Sequence, residues 1–231
     1  MNSFTYNGQS SADFGLKISE KDIYSAPARD LSFVSVPGRN GDIIVDNNRY
    51  ENINISYTVG CKDIKNKATA LKLWLCKPGY FRLIDTYQPD YFRMASFASN
   101  LPIDEVLQNV GQTKVVFNCK PFRYSLSGEN TISFTSARSI TNPEGFESLP
   151  YIKITGSGNV TLYINSKSYY MTSIGPSIEL DSELMCAYRG STLLNSKIGF
   201  SEFPVLEPGV NNISWSGSVT RIEIIPRWRT L

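Results

Sequence analysis

Residues 29–59 read RDLSFVSVPGRNGDIIVDNNRYENINISYTV, three strand-like runs joined by two polar turns. Leu31, Phe33 and Ser35 alternate with Ser32, Val34 and Val36 until Pro37-Gly38, where a missing amide donor and a permissive backbone end the strand. Asn40-Gly41 tolerates positive φ, so Arg39 lies on a protruding turn that reverses into the apolar run Ile43-Ile44-Val45. A second polar cluster, Asp46-Asn47-Asn48, predicts another reversal and delivers Arg49 and Tyr50 ahead of Ile53, Ile55, Tyr57 and Val59, which share one face of a period-two strand. The other face holds Asn52, Asn54, Ser56 and Thr58, so one side is expected on a core and the other on water or a polar partner.

Working outward, Phe4 to Gly8 and Phe14 to Ile18 read as an opening hairpin, and Arg29 and Asp30 as a local ion pair at the end of an irregular connector. After Val59 a helix is predicted: Asp63 can cap it, Ile64, Ala68, Leu71 and Leu75 form its apolar stripe, and Lys77-Pro78-Gly79 ends it. Trp74 sits beside that stripe, where it either widens the buried face or anchors a neighbouring subunit. Tyr80 to Ile84 and Tyr91 to Phe97 form a hairpin around the loop at 85–90, and Thr113 to Cys119 is a further strand. Residues 101–107 read only as a connection, and Lys120-Pro121 is expected to stop the ladder. The Ser/Thr/Asn-rich run that follows has the composition of a crossing between domains, with the boundary near Ile140. Short alternating strands then recur at Tyr151 to Thr155, Val160 to Ile164, Tyr169 to Thr172, Ser177 to Leu180, Leu184 to Tyr188 and Val219 to Ile225, the pattern of a β-sandwich. Gly156-Ser157-Gly158-Asn159 and Asn165-Ser166-Lys167-Ser168 supply the tight turns between the first three.

Composition excludes several function classes. The chain has 231 residues, 41% hydrophobic and 19% charged, with a net charge of +2 and no basic cluster, so nothing marks it for nucleic acid or a membrane surface. Its first residues lack a signal-peptide pattern, which places the protein in cytosol-like conditions. The four cysteines are far apart without a CxxC pair and are expected as free, buried thiols. With no histidine, Ser-His-Asp and Cys-His triads, imidazole metal sites and the commonest general base are all missing. Carboxylate pairs such as Asp181 with Glu183, or Asp85 with Asp90, could in principle serve glycoside hydrolysis, but they read as strand-end and turn residues. No catalytic, cofactor or metal site is therefore assigned.

VPGRNGD followed by DNNRYEN, after the N-terminal SADFGLKI, together with Phe117-Asn118-Cys119-Lys120-Pro121-Phe122-Arg123-Tyr124 and the segments Phe203-Pro204, Pro208-Gly209-Val210-Asn211 and Pro226-Arg227-Trp228-Arg229, resembles the siphophage distal tail protein family from end to end. The resemblance implies a mainly β protein: an N-terminal, ring-forming, β-sandwich-like domain with one packed α-helix (1–140) and a galectin-like C-terminal β-sandwich (141–231). It implies a homohexameric ring at the tail tip of the virion, assembled in the host cytoplasm, joining the tail tube protein to the baseplate or a tail-associated lysin. Arg39, Asn40 and Asp42 on the first turn, Arg49 and Tyr50 after the second, and Trp74 are the candidate contacts between subunits or with the adjoining tail protein. Against this stands local pairing of Arg39 with Asp42 and of Arg49 with Asp46 or Glu51. The alternative function is a carbohydrate-binding β-sandwich for host adsorption, with Tyr169-Tyr170 or Trp215 as an exposed aromatic platform.

Overall fold

The computed structural model describes residues 2–21, 26–61, 64–97 and 111–231. Two compact units emerge, residues 1–123 with 231, and residues 124–230. The fold is mainly β with one α-helix, as expected.

The first unit contains β1 (Phe4–Tyr6), β2 (Gln9–Ser10), β3 (Leu16–Lys21), β4 (Arg29–Val34), β5 (Ile43–Tyr50), β6 (Ile53–Cys61), α1 (Ile64–Leu75), β7 (Phe81–Asp85), β8 (Tyr91–Phe97) and β9 (Gly111–Ser125). One sheet runs in the order β2-β1-β7-β8-β9-β6-β3, while among the described residues β4 and β5 pair only with each other. Within the sheet β6 and β9 keep an unbroken antiparallel register from Ile53↔Cys119 to Cys61↔Gly111. Ile53, Ile55, Tyr57 and Val59 are buried as their alternation predicts; Asn54 is exposed, but Ser56 is buried too, so the polar face of β6 is not wholly solvated.

Helix α1 lays Leu71, Trp74 and Leu75 on this core. Trp74 is 2% exposed, its ring stacked 4.4 Å from Phe14 and its Nε1 donating to the Tyr6 carbonyl at 2.8 Å. It therefore extends the core and is not a surface for a neighbour, because an indole with both its faces and its donor engaged has nothing left to offer. The expected cap Asp63, the side chain of Ile64 and the connection at 101–107 lie outside the described residues.

Two local readings fail for a tertiary reason. Phe4 to Gly8 does not pair with the strand at residues 16–21; β1 turns back on β2 through Asn7 (φ 50°) and Gly8 (φ 77°) and pairs with β7, whereas β3 joins β6 at the opposite edge. Two consecutive positive φ values make the tight hairpin turn that Asn-Gly favours, and Phe4 and Tyr6 gain the aromatic core by it. Nor does Lys120-Pro121 end the strand: β6 has already run out at Ile53↔Cys119, so Pro121 breaks no bond to β6, and β9 continues to Ser125. All four cysteines are free, but Cys76 is exposed; burial pushes the Cys119 thiol up to about 12 and leaves it inert.

The second unit contains β10 (Ile132–Phe134), β11 (Arg138–Asn142), β12 (Tyr151–Ile164), β13 (Lys167–Ile174), β14 (Ser177–Asp181), β15 (Cys186–Arg189), β16 (Thr192–Leu193), β17 (Gly209–Ile225) and β18 (Arg229–Thr230). Where two strands and a turn at 156–159 were expected, β12 is one long strand lying along β17, with register shifts between Thr155 and Gly156 and between Ser157 and Thr161. The glycines there are not turn formers. A Cβ on Gly156 would meet the Ser218 carbonyl at 2.2 Å, and one on Gly217 the Asn159 carbonyl at 2.3 Å, so glycine lets the two backbones close up at the bend. Beyond the bend the partners change: residues 151–155 of β12 pair with β14, residues 158–164 with β13. Likewise β17 takes β11 at one end and β10 at the other. Two long bent strands thus run through both layers of the sandwich and enclose one core containing Ile154, Leu162, Met171 and Ile222.

The boundary near Ile140 is corrected by this pairing. Since β10 and β11 hydrogen-bond to β17, the polar run after Ser125 is part of the second unit, which begins at Tyr124. A fragment of residues 124–231 should therefore melt in one cooperative transition by circular dichroism. A fragment of residues 141–231, stripped of β10 and half of β11, should melt at lower temperature or not fold; equal melting of the two would contradict the pairing argument.

Candidate assembly surface

The β4–β5 ribbon is built from the quoted stretch. Its register pairs Ser32 with Val45, Phe33 with Ile44 and Val34 with Ile43. Val36-Pro37-Gly38-Arg39 closes a turn, with the Arg39 amide donating to the Val36 carbonyl at 3.1 Å and Gly38 at φ 80°, a geometry that wants proline second and glycine third. The predicted second reversal at Asp46-Asn47-Asn48 does not occur. Strand β5 runs on to Tyr50, and Asn48, at φ 54°, sits where the register slips between Arg29 and Leu31. A bulge absorbs the extra residue that a turn would have used.

Charge fastens the root of the ribbon. Arg29 Nε donates to Asp46 Oδ2 at 2.6 Å, and Arg49 Nε to Asp30 Oδ2 at 2.5 Å, with Asn47 Nδ2 on Asp30 Oδ1 at 3.0 Å and the Asn48 amide on Asp46 Oδ1 at 2.8 Å. The pairs cross between the strands; Arg29 and Asp30 do not pair with each other, nor does Arg49 with Asp46. Both carboxyls are held below the ordinary carboxylate value, Asp30 by Asn47 and then Arg49, Asp46 by the Asn48 amide and then Arg29. Tyr50 is half-buried, its ring 5.8 Å from Phe122 and its hydroxyl taking Arg29 Nη1 at 3.3 Å.

Beyond the root the ribbon is apolar and unprotected. Phe33 is 62% exposed and Ile44 60%, and Val34, Val36, Ile43 and Val45 are exposed as well. Because neighbours along a strand point to opposite faces, this continuous run puts apolar side chains on both faces. Isolated soluble chains seldom leave such a surface open.

The sequence-predicted residues thus fall into three places. Arg39, Asn40 and Asp42 are exposed together at the tip, and among the described residues no hydrogen bond or ion pair ties the Arg39 side chain to Asp42. Arg49 and Tyr50 lie at the root, already engaged, and Trp74 lies in the core. What sequence reading missed is the apolar body between them, signalled by Ile43-Ile44-Val45 opposite Phe33-Val34: a strand with no polar face. The paired carboxylates are structural. Asp85 accepts from Lys21, Tyr57 and two amides, and Asp181 from both Nη atoms of Arg227 at 2.7 and 2.9 Å. Tyr169 is buried against Phe200 and Trp215 is half-buried near Phe134, whereas Tyr170 is exposed, so of the three candidate rings Tyr170 alone is open to a ligand. Among the described residues no helix is long and apolar enough to cross a membrane, and no group of three or more Cys, Asp or Glu could hold a metal.

Residues 6–119 match the family model described as the phage tail protein RIFT-related domain. The first unit is similar to that phage tail domain over most of its length. Over its full length, and 100% of the other chain, the protein superposes with TM-score 0.80 and 11% identity on the crystal structure of the SPP1 Dit protein, described as a paradigm of the hub adsorption apparatus in phages that infect Gram-positive bacteria. At that identity the likeness speaks for the fold. No curated protein matches the chain.

The root of the first unit's ribbon carries a pH dependence. Carboxyls whose folded value is depressed stabilise fully above their ordinary value and lose that contribution as pH falls through the lowered one. Amide protection factors in β4 and β5, read by hydrogen exchange, should hold constant from neutrality down to about pH 5 and fall below about pH 4. Unchanged protection at the lower pH would show that the ion pairs do not set the register.

Proposed function

We propose that this chain is the distal tail hub of a siphophage, a homohexameric ring in the virion that joins the tail tube to the baseplate or tail-associated lysin. The observation that carries the reading is the two-sided apolar ribbon, projecting from a phage tail domain in a chain that shares its whole fold with a hub protein. A closed ring of identical copies needs two different complementary patches on each, typically about 800 Å² per partner for a stable contact. A ribbon apolar on both faces meets half of that requirement, since it can be covered only by lying between surfaces of another copy. The first unit is then the assembling part, with Arg39, Asn40 and Asp42 at the ribbon's tip reaching the next subunit or the adjoining tail protein. The second unit, a galectin-like sandwich outside the ring, binds partner proteins. No step in this role calls for catalysis, and a structural role fits a chain without histidine.

The test is the double substitution Phe33→Ser with Ile44→Ser, followed by light scattering after size exclusion. These side chains touch no core, so the melting temperature of the variant should stay within a few degrees of the parent while the ring dissociates to monomers. A ring that survives both changes would remove the ribbon from the interface; a parent protein that is monomeric at all concentrations would remove the ring.

A further inference from the structure

We propose that the first unit holds a small monovalent anion of the halide class in the pocket bounded by Lys21, Asp85, Arg93 and Arg123. The pocket has a volume of about 20 Å³, room for one atom-sized guest and no more. Three cations line it, and among the described residues Asp85 is the one carboxylate that does.

Asp85 is already committed. Its Oδ2 takes Lys21 Nζ at 2.5 Å and the Tyr57 hydroxyl at 2.7 Å, and its Oδ1 takes the amides of Tyr87 and Gln88 at 3.0 and 3.1 Å. Lys21 and Asp85 cancel, with side chains only 4% and 9% exposed. That leaves two guanidiniums. Arg93 donates Nη1 to the Pro121 carbonyl, a neutral acceptor. Arg123 lies 4.9 Å from the Tyr91 ring, and its Nε is shut off from solvent with no acceptor among the described residues. Burial lowers the Arg93 pKa most and the charge of Arg123 lowers it too, while Cys119, Tyr57 and Asp85 pull it back only in part, as expected where two guanidiniums share a space with a carboxylate already committed to Lys21.

A shielded N–H without an acceptor and an uncompensated charge are each costly. Water could accept from Arg123 Nε, but it would leave both charges standing. A halide answers both needs at once, being a spherical acceptor that carries a full negative charge. A volume of about 20 Å³ suits a single-atom anion better than a carboxylate or a phosphate. The site is independent of the ribbon and of the hub reading.

The experiment compares thermal unfolding of the full-length protein in sodium chloride, sodium bromide and sodium gluconate at equal ionic strength. Gluconate screens charge equally but is too large for the pocket. The melting temperature should climb by a constant step for each tenfold rise in halide once the site begins to fill, and stay flat in gluconate. Arg123→Gln should abolish the halide-specific rise. Crystals grown in bromide should show an anomalous peak in contact with Arg93 and Arg123, a result that stands even if the variant fails to fold. Equal melting in halide and gluconate, a rise retained in Arg123→Gln, or bromide found only on the crystal surface would each overturn the proposal.

Discussion

Tyr57 is the residue on which the first unit turns. Its ring is wholly buried, 4.8 Å from Phe4 and 6.1 Å from Phe117, so its hydroxyl has no water to turn to and must find an acceptor inside. It donates to Asp85, and a buried carboxylate in turn needs a cation, which Lys21 supplies from the end of β3. Apolar packing in the middle of β6 thereby dictates a charged cluster that joins β6, β7 and β3. The same carboxylate caps the turn after β7 through its other oxygen. Placing one aromatic ring in the core thus commits the polar chemistry beside it, with Asp85 spent on Lys21 and Tyr57 next to Arg93 and Arg123.

The second unit solves a different problem. Its core is aliphatic, and its two layers are stitched by long strands that bend, so no single charged group organises it. What it requires is absence: no side chain at Gly156 or Gly217, where one backbone comes within a carbonyl's reach of the other. The Asp181–Arg227 pair then pins the far end, with Arg227 itself at φ 55°. In one unit a hydroxyl sets the geometry, in the other the missing side chains do.

The ribbon answers to neither core. A two-stranded ribbon standing alone is marginal in water, and this one is held by ion pairs at its root while its apolar body stays exposed. Folding has secured its register and left its burial undone. That division suits a part whose partner is another molecule, because a strand that had met its hydrophobic needs within the chain would have little to gain from assembly.

Much of this was legible in order along the chain, for a simple reason: strand alternation, helical spacing and the Pro-Gly and Asn-Gly turns are properties of near neighbours. The inward face of β6, a helix ended by Lys77-Pro78-Gly79, the protruding Arg39 turn and the exclusion of histidine chemistry follow from residues within a few positions of one another. Partnership does not. That β1 joins β7 and not β3, that residues 156–159 bend a strand where a turn was expected, and that the second unit starts at Tyr124 depend on contacts between residues far apart in sequence. Trp74 shows the limit most clearly. Its spacing allowed both core and interface, and only the arrival of Phe14 and the Tyr6 carbonyl, from the other end of the unit, chose the core. The ribbon shows the converse: its apolar run carries no local sign of a surface, and only the lack, among the described residues, of a third strand beside it reveals one.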